Sequence, residues 1–206
     1  QRYQKEILKE IPEVDAVLGT TSYDQIVRAV EEALRGQGGV RLADLDALPA
    51  VQERRLITTG GHYAYLKIAE GCDKHCTYCI IPKIRGNYRS VPMEQLVREA
   101  EELAGQGVKE LILIAQDIGP YGKDLYGERR LPQLLRELCK LPFHWIRLHY
   151  LYPDHFDEEL IEVIASEPRI VKYLDIPLQH CSDHLLKSMN RWGTEESLTA
   201  LLKKLR

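Results

Sequence analysis

The chain has 206 residues, 44% of them hydrophobic and 29% charged, which excludes a disordered, collagen-like or fibrous polypeptide. Lys plus Arg number 28 against 31 Asp plus Glu, a net charge of -3, so the basic excess of a dedicated nucleic-acid binder is missing. No apolar run approaches the roughly 18 residues that span a bilayer, and no signal peptide opens the chain.

Gln1-Arg2-Tyr3 begins without Met and already in helix-like sequence, and Leu198, Leu201, Leu202 and Leu205 still keep helical period at the other end. These ends read as those of a piece of a longer protein. Residues 1–35 read as helix, strand, helix. Ile7, Leu8 and Ile11 make a short amphipathic stripe, Val14 to Leu18 a strand, and Ile26, Val27, Val30, Ala33 and Leu34 a helix face. Gly36, Gly38 and Gly39 mark a turn, and Leu42 to Thr59 has no clean period. The expected division is therefore the end of one domain at 1–38, a linker at 39–60, and a second domain at 61–206.

From Tyr63 onward strands and helices alternate. Tyr65 to Ala69 is a predicted strand, and Met93, Leu96, Val97, Ala100, Leu103 and Ala104 form one face of a helix. Ser90 and Pro92 are its expected cap and first turn, and Gly105 and Gly107 its stop. Val108 to Ala115 is a continuous apolar strand, as expected where both faces are covered. Then follow helix Leu131–Lys140, strand His144–Leu151, and a helix marked by Phe156, Leu160, Ile161 and Ile164. Strand Tyr173–Leu178 comes next, and then a helix begun by Leu185, Leu186 and Met189. About four βα units predict an α/β fold with a parallel sheet, open or rolled into a barrel.

The first strand runs into Glu70-Gly71-Cys72-Asp73-Lys74-His75-Cys76-Thr77-Tyr78-Cys79. Parallel βα folds place their chemistry at the C-terminal strand edge. The chain has five cysteines, and three of them fall within these residues. That pattern suits a metal or cluster site in a reducing, cytoplasmic setting better than a disulfide framework. An iron–sulfur cube usually takes four thiolates, so three leave one iron open, as catalytic zinc keeps an open position. The alternatives are a zinc knuckle using His75, a redox pair of Cys76 and Cys79, and three unrelated buried cysteines.

Cys-x3-Cys-x2-Cys with Tyr78 before the last Cys resembles the signature of the radical S-adenosylmethionine (SAM) enzymes. The flanks Tyr63 to Gly71, Ile80-Ile81-Pro82 and Arg85-Gly86 resemble the methylthiotransferase family within them. Tyr173-Leu174-Asp175-Ile176-Pro177-Leu178-Gln179-His180, Trp145 to Leu148 and Tyr152-Pro153 resemble the branch that modifies an aspartate of a ribosomal protein. The resemblance implies a partial radical SAM (β/α) barrel at 61–206, TIM-like, preceded by the end of a methylthiotransferase N-terminal domain. One departure stands out: Ile118-Gly119-Pro120 follows Gln116-Asp117 where small hydroxyl residues are expected.

By this resemblance Cys72, Cys76 and Cys79 hold a 4Fe–4S cluster whose fourth iron chelates SAM, and Tyr78 lies near the adenine. A second cluster is expected in the intact protein. One electron splits the sulfonium, releasing a 5′-deoxyadenosyl radical that abstracts a β-hydrogen from an aspartate of small-subunit ribosomal protein twelve. A flavodoxin-type reductant is the expected donor, with no membrane and no strong nucleic-acid binding by this chain. A tRNA adenosine methylthiotransferase is the alternative, and a zinc-stabilised non-catalytic module the rival from another class.

Strand alternation bears on the lumen independently. Ile146, Leu148 and Tyr150 share one face, with Arg147 and His149 on the other. Leu174, Ile176 and Leu178 likewise oppose Asp175 and Gln179, and Leu66 and Ile68 oppose Lys67. With the apolar faces under helices, the polar residues line a lumen suited to a polar ligand; the bland reading is a wet strand face. Gln116 and Asp117 are expected to accept from the SAM ammonium group or to cap the strand end. Arg147, Asp175 and Gln179 are the further cofactor-binding candidates. Gln179 and His180 could reach ribose or substrate. Lys83, Arg85 and Arg89 offset thiolate charge or form a solvated basic loop. Cys139 sits on an apolar helix face as a small core residue, and Cys181 has no assigned role.

Overall fold

Residues 3–47, 55–58 and 60–206 are described by the computed structural model. The centre of the expected 39–60 linker, and Gln1 and Arg2, lie outside them.

The N-terminal segment builds α1 (Gln4–Glu10), β1 (Val17–Leu18), a 3-10 turn at Tyr23–Gln25, α2 (Ile26–Leu34) and β2 (Val40–Arg41). β1 and β2 pair in parallel, Val17 opposite Val40. β1 is shorter than the predicted strand because Val14 belongs to the turn after α1, where its N–H donates to the Ile11 carbonyl at 3.1 Å. The apolar stripe of α2 is real, yet Ile26, Val27, Val30 and Leu34 are exposed and only Ala29 is buried.

The second segment supplies β3 (Tyr63–Lys67), β4 (Ala69–Glu70), α3 (Ile81–Arg85), β5 (Arg89–Ser90), α4 (Met93–Gly105) and β6 (Glu110–Ile114). It continues with α5 (Lys123–Tyr126), α6 (Leu131–Leu138), β7 (Trp145–Leu148), α7 (Glu158–Ser166), β8 (Ile170–Leu174), α8 (Asp183–Ser188) and α9 (Glu195–Leu205). β3, β6, β7 and β8 form one parallel sheet in that order. Sequential strands of this sheet lie side by side, the common arrangement for consecutive βα units. β4 and β5 make a separate antiparallel ribbon, Ala69 opposite Ser90.

The register explains the core. Ala64, Leu111, Ile146 and Ile170 form one row across the sheet, and Leu66, Leu113, Leu148 and Leu174 another. They face the helices, where Leu96, Ala100 and Leu103 of α4 and Leu131, Leu134, Leu135 and Leu138 of α6 complete a single apolar cluster. Cys139 packs against its margin, as its sequence neighbours indicated. The opposite face carries Tyr65, Ile112 and Arg147 in one row, with Lys67 beside Ile114. That face is mixed: β3 and β7 give it Tyr65, Lys67 and Arg147, as their alternation predicted, and β6 gives it Ile112 and Ile114.

Two sequence expectations need correction. Ser90 does not cap α4. It lies in β5, and its N–H and Oγ donate to the Asp124 carboxylate at 2.8 and 2.6 Å, while Pro92 occupies the cap position. The fourth strand is Ile170–Leu174 and not Tyr173–Leu178. Beyond Leu174 the chain turns on itself, Leu178 N–H to Ile176 O and His180 N–H to Leu178 O, both at 2.9 Å. Asp175 and Gln179 are therefore loop residues, and alternation does not govern their direction.

Candidate functional site

At the C-terminal edge of β3 the chain crosses β4 and enters the cysteine loop. Gly71 makes the entry possible. Its φ of 83° lies in the left-handed region, and any Cβ there would collide with the Asn87 and Gly86 carbonyls. Its N–H donates to Gln116 Oε1 at 2.8 Å, tying the loop to the end of β6. Asp73 Oδ1 accepts from the Tyr88 N–H at 2.9 Å. Lys74 reaches both Asp154 oxygens at 2.8 and 2.6 Å, tying the loop to the region after β7. Thr77 N–H donates to the Met189 carbonyl at 3.1 Å, and Asn190 Nδ2 to the His75 carbonyl at 3.1 Å. The turn after α8 therefore clamps the loop from the far side of the sheet.

So held, Cys72, Cys76 and Cys79 line one cavity of about 360 Å³ with Tyr78, Ala115, Gln116, Asp117, Tyr150, Tyr152, Gln179 and Arg191. Among the described residues no three His, Cys, Asp or Glu side chains converge on a single ion. A cube asks for a different spread, because each thiolate binds its own iron. Burial, then the Asp117 carboxylate and the neighbouring thiols, pushes the Cys72 thiol up, despite a backbone N–H from Lys74. Cys79 Sγ accepts the Ile81 N–H at 3.4 Å. Cys76 is buried, with Arg191 Nη1 at 3.6 Å and the Tyr152 hydroxyl at 3.9 Å from its sulfur. Polar and cationic groups on thiol sulfurs inside one cavity fit a thiolate-bound cluster.

The predicted cofactor residues separate into two groups. Tyr78, Gln116, Asp117 and Gln179 join the cysteines in the cavity. Tyr78 is 55% exposed at its rim, and Gln179 reaches it through a φ of 71°. Asp117 is 1% exposed, and its carboxylate is engaged within the protein. Oδ2 lies 2.9 Å from His155 Nε2, and Oδ1 accepts from the Gly119 N–H at 3.1 Å. Ile118 is fully buried and a Cβ on Gly119 would strike the His155 ring, so the departure at 118–119 serves this packing. Arg147 and Asp175 do not line the cavity. Arg147 Nε pairs with Glu110 at 2.5 Å, its guanidinium lies 5.6 Å from the Tyr173 ring centroid, and the Asp175 carbonyl accepts from the Leu151 N–H.

Of the basic residues after the loop, Lys83 is exposed, and Arg85 and Arg89 have structural partners. Arg85 lies 3.7 Å from the buried Glu70 carboxylate, which Lys67 also contacts. Arg89 donates to the carbonyls of Asn87 and Arg85 and pairs with Asp46. Sequence reading missed Lys74, Tyr150, Tyr152, His155 and Arg191. Of these only Tyr152 carried a signal, in the Tyr152-Pro153 pair that contributes to the family resemblance.

The radical SAM superfamily model matches residues 66–206. The ribosomal protein uS12 methylthiotransferase RimO of Lachnoclostridium phytofermentans is 58% identical over all of this chain and 47% of its own length. RimO of Acetivibrio thermocellus is 50% identical, again over 100% of this chain and 47% of its own length. The chain thus spans about half the length of these curated relatives. Among solved structures, the radical SAM methyltransferase TsrM from Kitasatospora setae, with tryptophan and aza-SAM bound, superposes with a TM-score of 0.54. It is 21% identical, and the match covers 70% of this chain and 29% of that one. The cobalamin-dependent radical enzyme OxsB reaches 0.54 at 14% identity, over 85% of this chain and 23% of its own. The parallel βα sheet, the cysteine spacing and the matched segment agree: this chain belongs to the radical SAM superfamily and forms part of a radical SAM barrel.

Proposed function

We propose that the protein is a methylthiotransferase that modifies an aspartate β-carbon of small-subunit ribosomal protein uS12, and that this chain carries its SAM-cleaving part. The observation that carries the reading is the convergence of Cys72, Cys76 and Cys79 on one cavity at the C-terminal sheet edge. The relatives' names point to the ribosomal protein and not to a tRNA adenosine. A cluster of the kind bound in a TsrM structure, with SAM at its open iron, would supply one electron to split the sulfonium.

The chain's own residues bind and orient. Cys72, Cys76 and Cys79 would each ligate one iron. Tyr78 at the rim offers a face for the adenine. Gln116 accepts from the Gly71 N–H through its carbonyl and lines the cavity, where its amide N–H would be an orienting donor for a carboxylate. Gln179 lines the opposite side, within reach of the ribose. Asp117 fixes the wall through His155 in this chain, and a contact of its remaining lone pairs with the SAM ammonium belongs to the same proposal. Arg147 and Asp175 lie outside this cavity, so their part would be in substrate approach along the lumen. The intact protein would add a second cluster as the sulfur donor and a flavodoxin-type reductant, and would work in the cytoplasm. No helix among the described residues is long and apolar enough to cross a membrane.

The test is anaerobic reconstitution of the full-length enzyme, followed by SAM cleavage to 5′-deoxyadenosine and methylthiolation of a uS12 loop peptide. Cys76→Ala should abolish cleavage, by more than a hundredfold. A methylthiolated anticodon stem-loop with an untouched peptide would overturn the substrate. One zinc per chain without acid-labile sulfide would overturn the chemistry.

A further inference from the structure

Resting on the reading that the three cysteines hold a cluster, we propose that Arg191 and Tyr152 donate to the Cys76 thiolate and thereby raise the cluster's reduction potential. Arg191 is 8% exposed. A buried guanidinium is costly unless an anion or a set of acceptors meets it. Among the described residues Arg191 forms no ion pair with a carboxylate. Its Nη2 donates to the Pro177 carbonyl, its Nη1 lies 3.6 Å from Cys76 Sγ, and its guanidinium carbon sits 3.9 Å from the Tyr152 ring centroid. The Cys76 sulfur is thus the one group beside it that becomes an anion on binding iron.

Tyr152 completes the arrangement. Its hydroxyl stands 3.9 Å from the same sulfur, and its ring carries a second cation, Lys74 Nζ, 4.2 Å from the centroid. Lys74 is already neutralised by Asp154, so it fixes the ring and adds little net charge. Arg191 has no such anion and brings its full charge to the thiolate. These groups come from different βα units, since Arg191 follows α8 and Tyr152 follows β7. Their meeting at one cysteine is a tertiary feature.

The physical consequence has a definite sign. Reduction adds an electron to the cluster, and hydrogen bonds and positive charge at its sulfurs favour the reduced form. In a buried site the charge acts through a low dielectric and is worth more than at the surface. Cys72 and Cys79 receive no side-chain cation of this kind among the described residues, so the field is centred on Cys76. The electron itself comes from the external reductant, and no bond is made or broken at Arg191 or Tyr152.

The test is a redox titration of full-length enzyme, reconstituted anaerobically and followed by electron paramagnetic resonance. The signal to follow is the one that changes when SAM is added, which singles out the open-site cluster. In Arg191→Gln the reduced-to-oxidised ratio at a fixed poise should fall about tenfold, or about 59 mV for one electron. Tyr152→Phe should lower it severalfold in the same direction, and Arg191→Lys should recover part of the loss. Where Arg191→Gln loses iron, Tyr152→Phe, which removes a single oxygen, decides. A potential equal to the parent's in the deciding variant overturns the inference, and a weakened SAM affinity beside that unchanged potential would make Arg191 a SAM contact instead. A parent enzyme with no SAM-responsive signal would instead sink the cluster reading itself.

Discussion

Replacing Gly119 with Ala should destabilise the domain through one ring. Gly119 has no Cβ, and the space a Cβ would fill is occupied by Cβ, Cγ and Cδ2 of His155. That ring is held by its 2.9 Å contact to Asp117, a carboxylate almost fully removed from water. The added methyl must push the ring off its partner. Overpacking costs about 1–3 kcal/mol, and a buried acceptor left without its donor costs a further 1–3 kcal/mol or so. The single substitution should therefore cost about 2–6 kcal/mol, the lower part of that range applying where the backbone shifts. His155→Gly loses the same hydrogen bond and also removes the Cβ, Cγ and Cδ2 that fill the space, so Gly119→Ala added to it should cost little more. The pair should show a favourable coupling of about 1–3 kcal/mol in a double-mutant cycle. Urea unfolding of the full-length protein, read at constant slope, measures all three variants. A Gly119→Ala protein within about 0.5 kcal/mol of the parent, or strictly additive costs, would refute the reasoning.

Two further outcomes follow from the same geometry. Asn190→Ala removes the amide that holds the His75 carbonyl at 3.1 Å, and places Ala at a φ of 54° that asparagine tolerates better. It should cost about 1–2 kcal/mol and speed iron loss from the reconstituted protein in air severalfold, read by chelator-coupled absorbance. Burial, helped by the Glu167 carboxylate, pushes the Cys139 thiol from its ordinary 9.0 up to about 11, whereas Cys181 is exposed. Alkylation at pH 8 followed by peptide mass spectrometry should modify Cys181 well before Cys139. The folded thiol keeps its proton where the unfolded chain has lost it, so this group's stabilisation is complete below about pH 9 and is lost as pH rises towards about 11. Cys139→Ala should flatten that part of the stability profile, and an unchanged slope would count against the burial argument.

What the sequence disclosed follows from where periodic patterns hold. The strand rows of Ala64, Leu111 and Ile146, and of Leu66, Leu113 and Leu148, are buried, with β6 reading as an apolar run and β3 and β7 as alternation, so the βα rhythm was legible. The cysteine spacing was legible because the three ligands are local in sequence. The fourth strand was misplaced by three residues, since Tyr173-Leu174-Asp175-Ile176 alternates as well as Ile170-Val171-Lys172 does. The pairing that decides between them, Ile170 opposite Ile146, is long-range. The roles of Ser90, Tyr152, His155 and Arg191 were illegible for the same reason. Each acts on a partner 34 to 115 positions away, and no local pattern carries such a pairing. Asp117 shows the limit most sharply. Its type and its place at a strand end suggested a ligand contact, and the His155 ring that also holds its Oδ2 was out of reach of any local spacing.

The cluster loop therefore owes its shape to every unit of the sheet at once. Gln116 after β6 fixes Gly71, Asp154 after β7 fixes Lys74, and the turn after α8 fixes His75, Thr77 and Cys76. The anchors reach residues of a stretch only a few positions long, and at Lys74 two of them meet, Asp154 on its ammonium and Asn190 on its carbonyl. A loop so held has little freedom to collapse when its thiolates lack a ligand, which lowers the ordering cost that binding would otherwise carry. The same division makes the three cysteines unequal. Cys72 is controlled through the backbone next to β6, Cys79 accepts a single backbone N–H, and Cys76 alone meets a buried side-chain cation. Alanine at each position removes one ligand in every case, but only at Cys76 does it also strand a buried guanidinium. Cys76→Ala should then be the least stable of the three in its apo form, and thermal unfolding of the three apo variants side by side would show otherwise if the Arg191 contact contributed nothing.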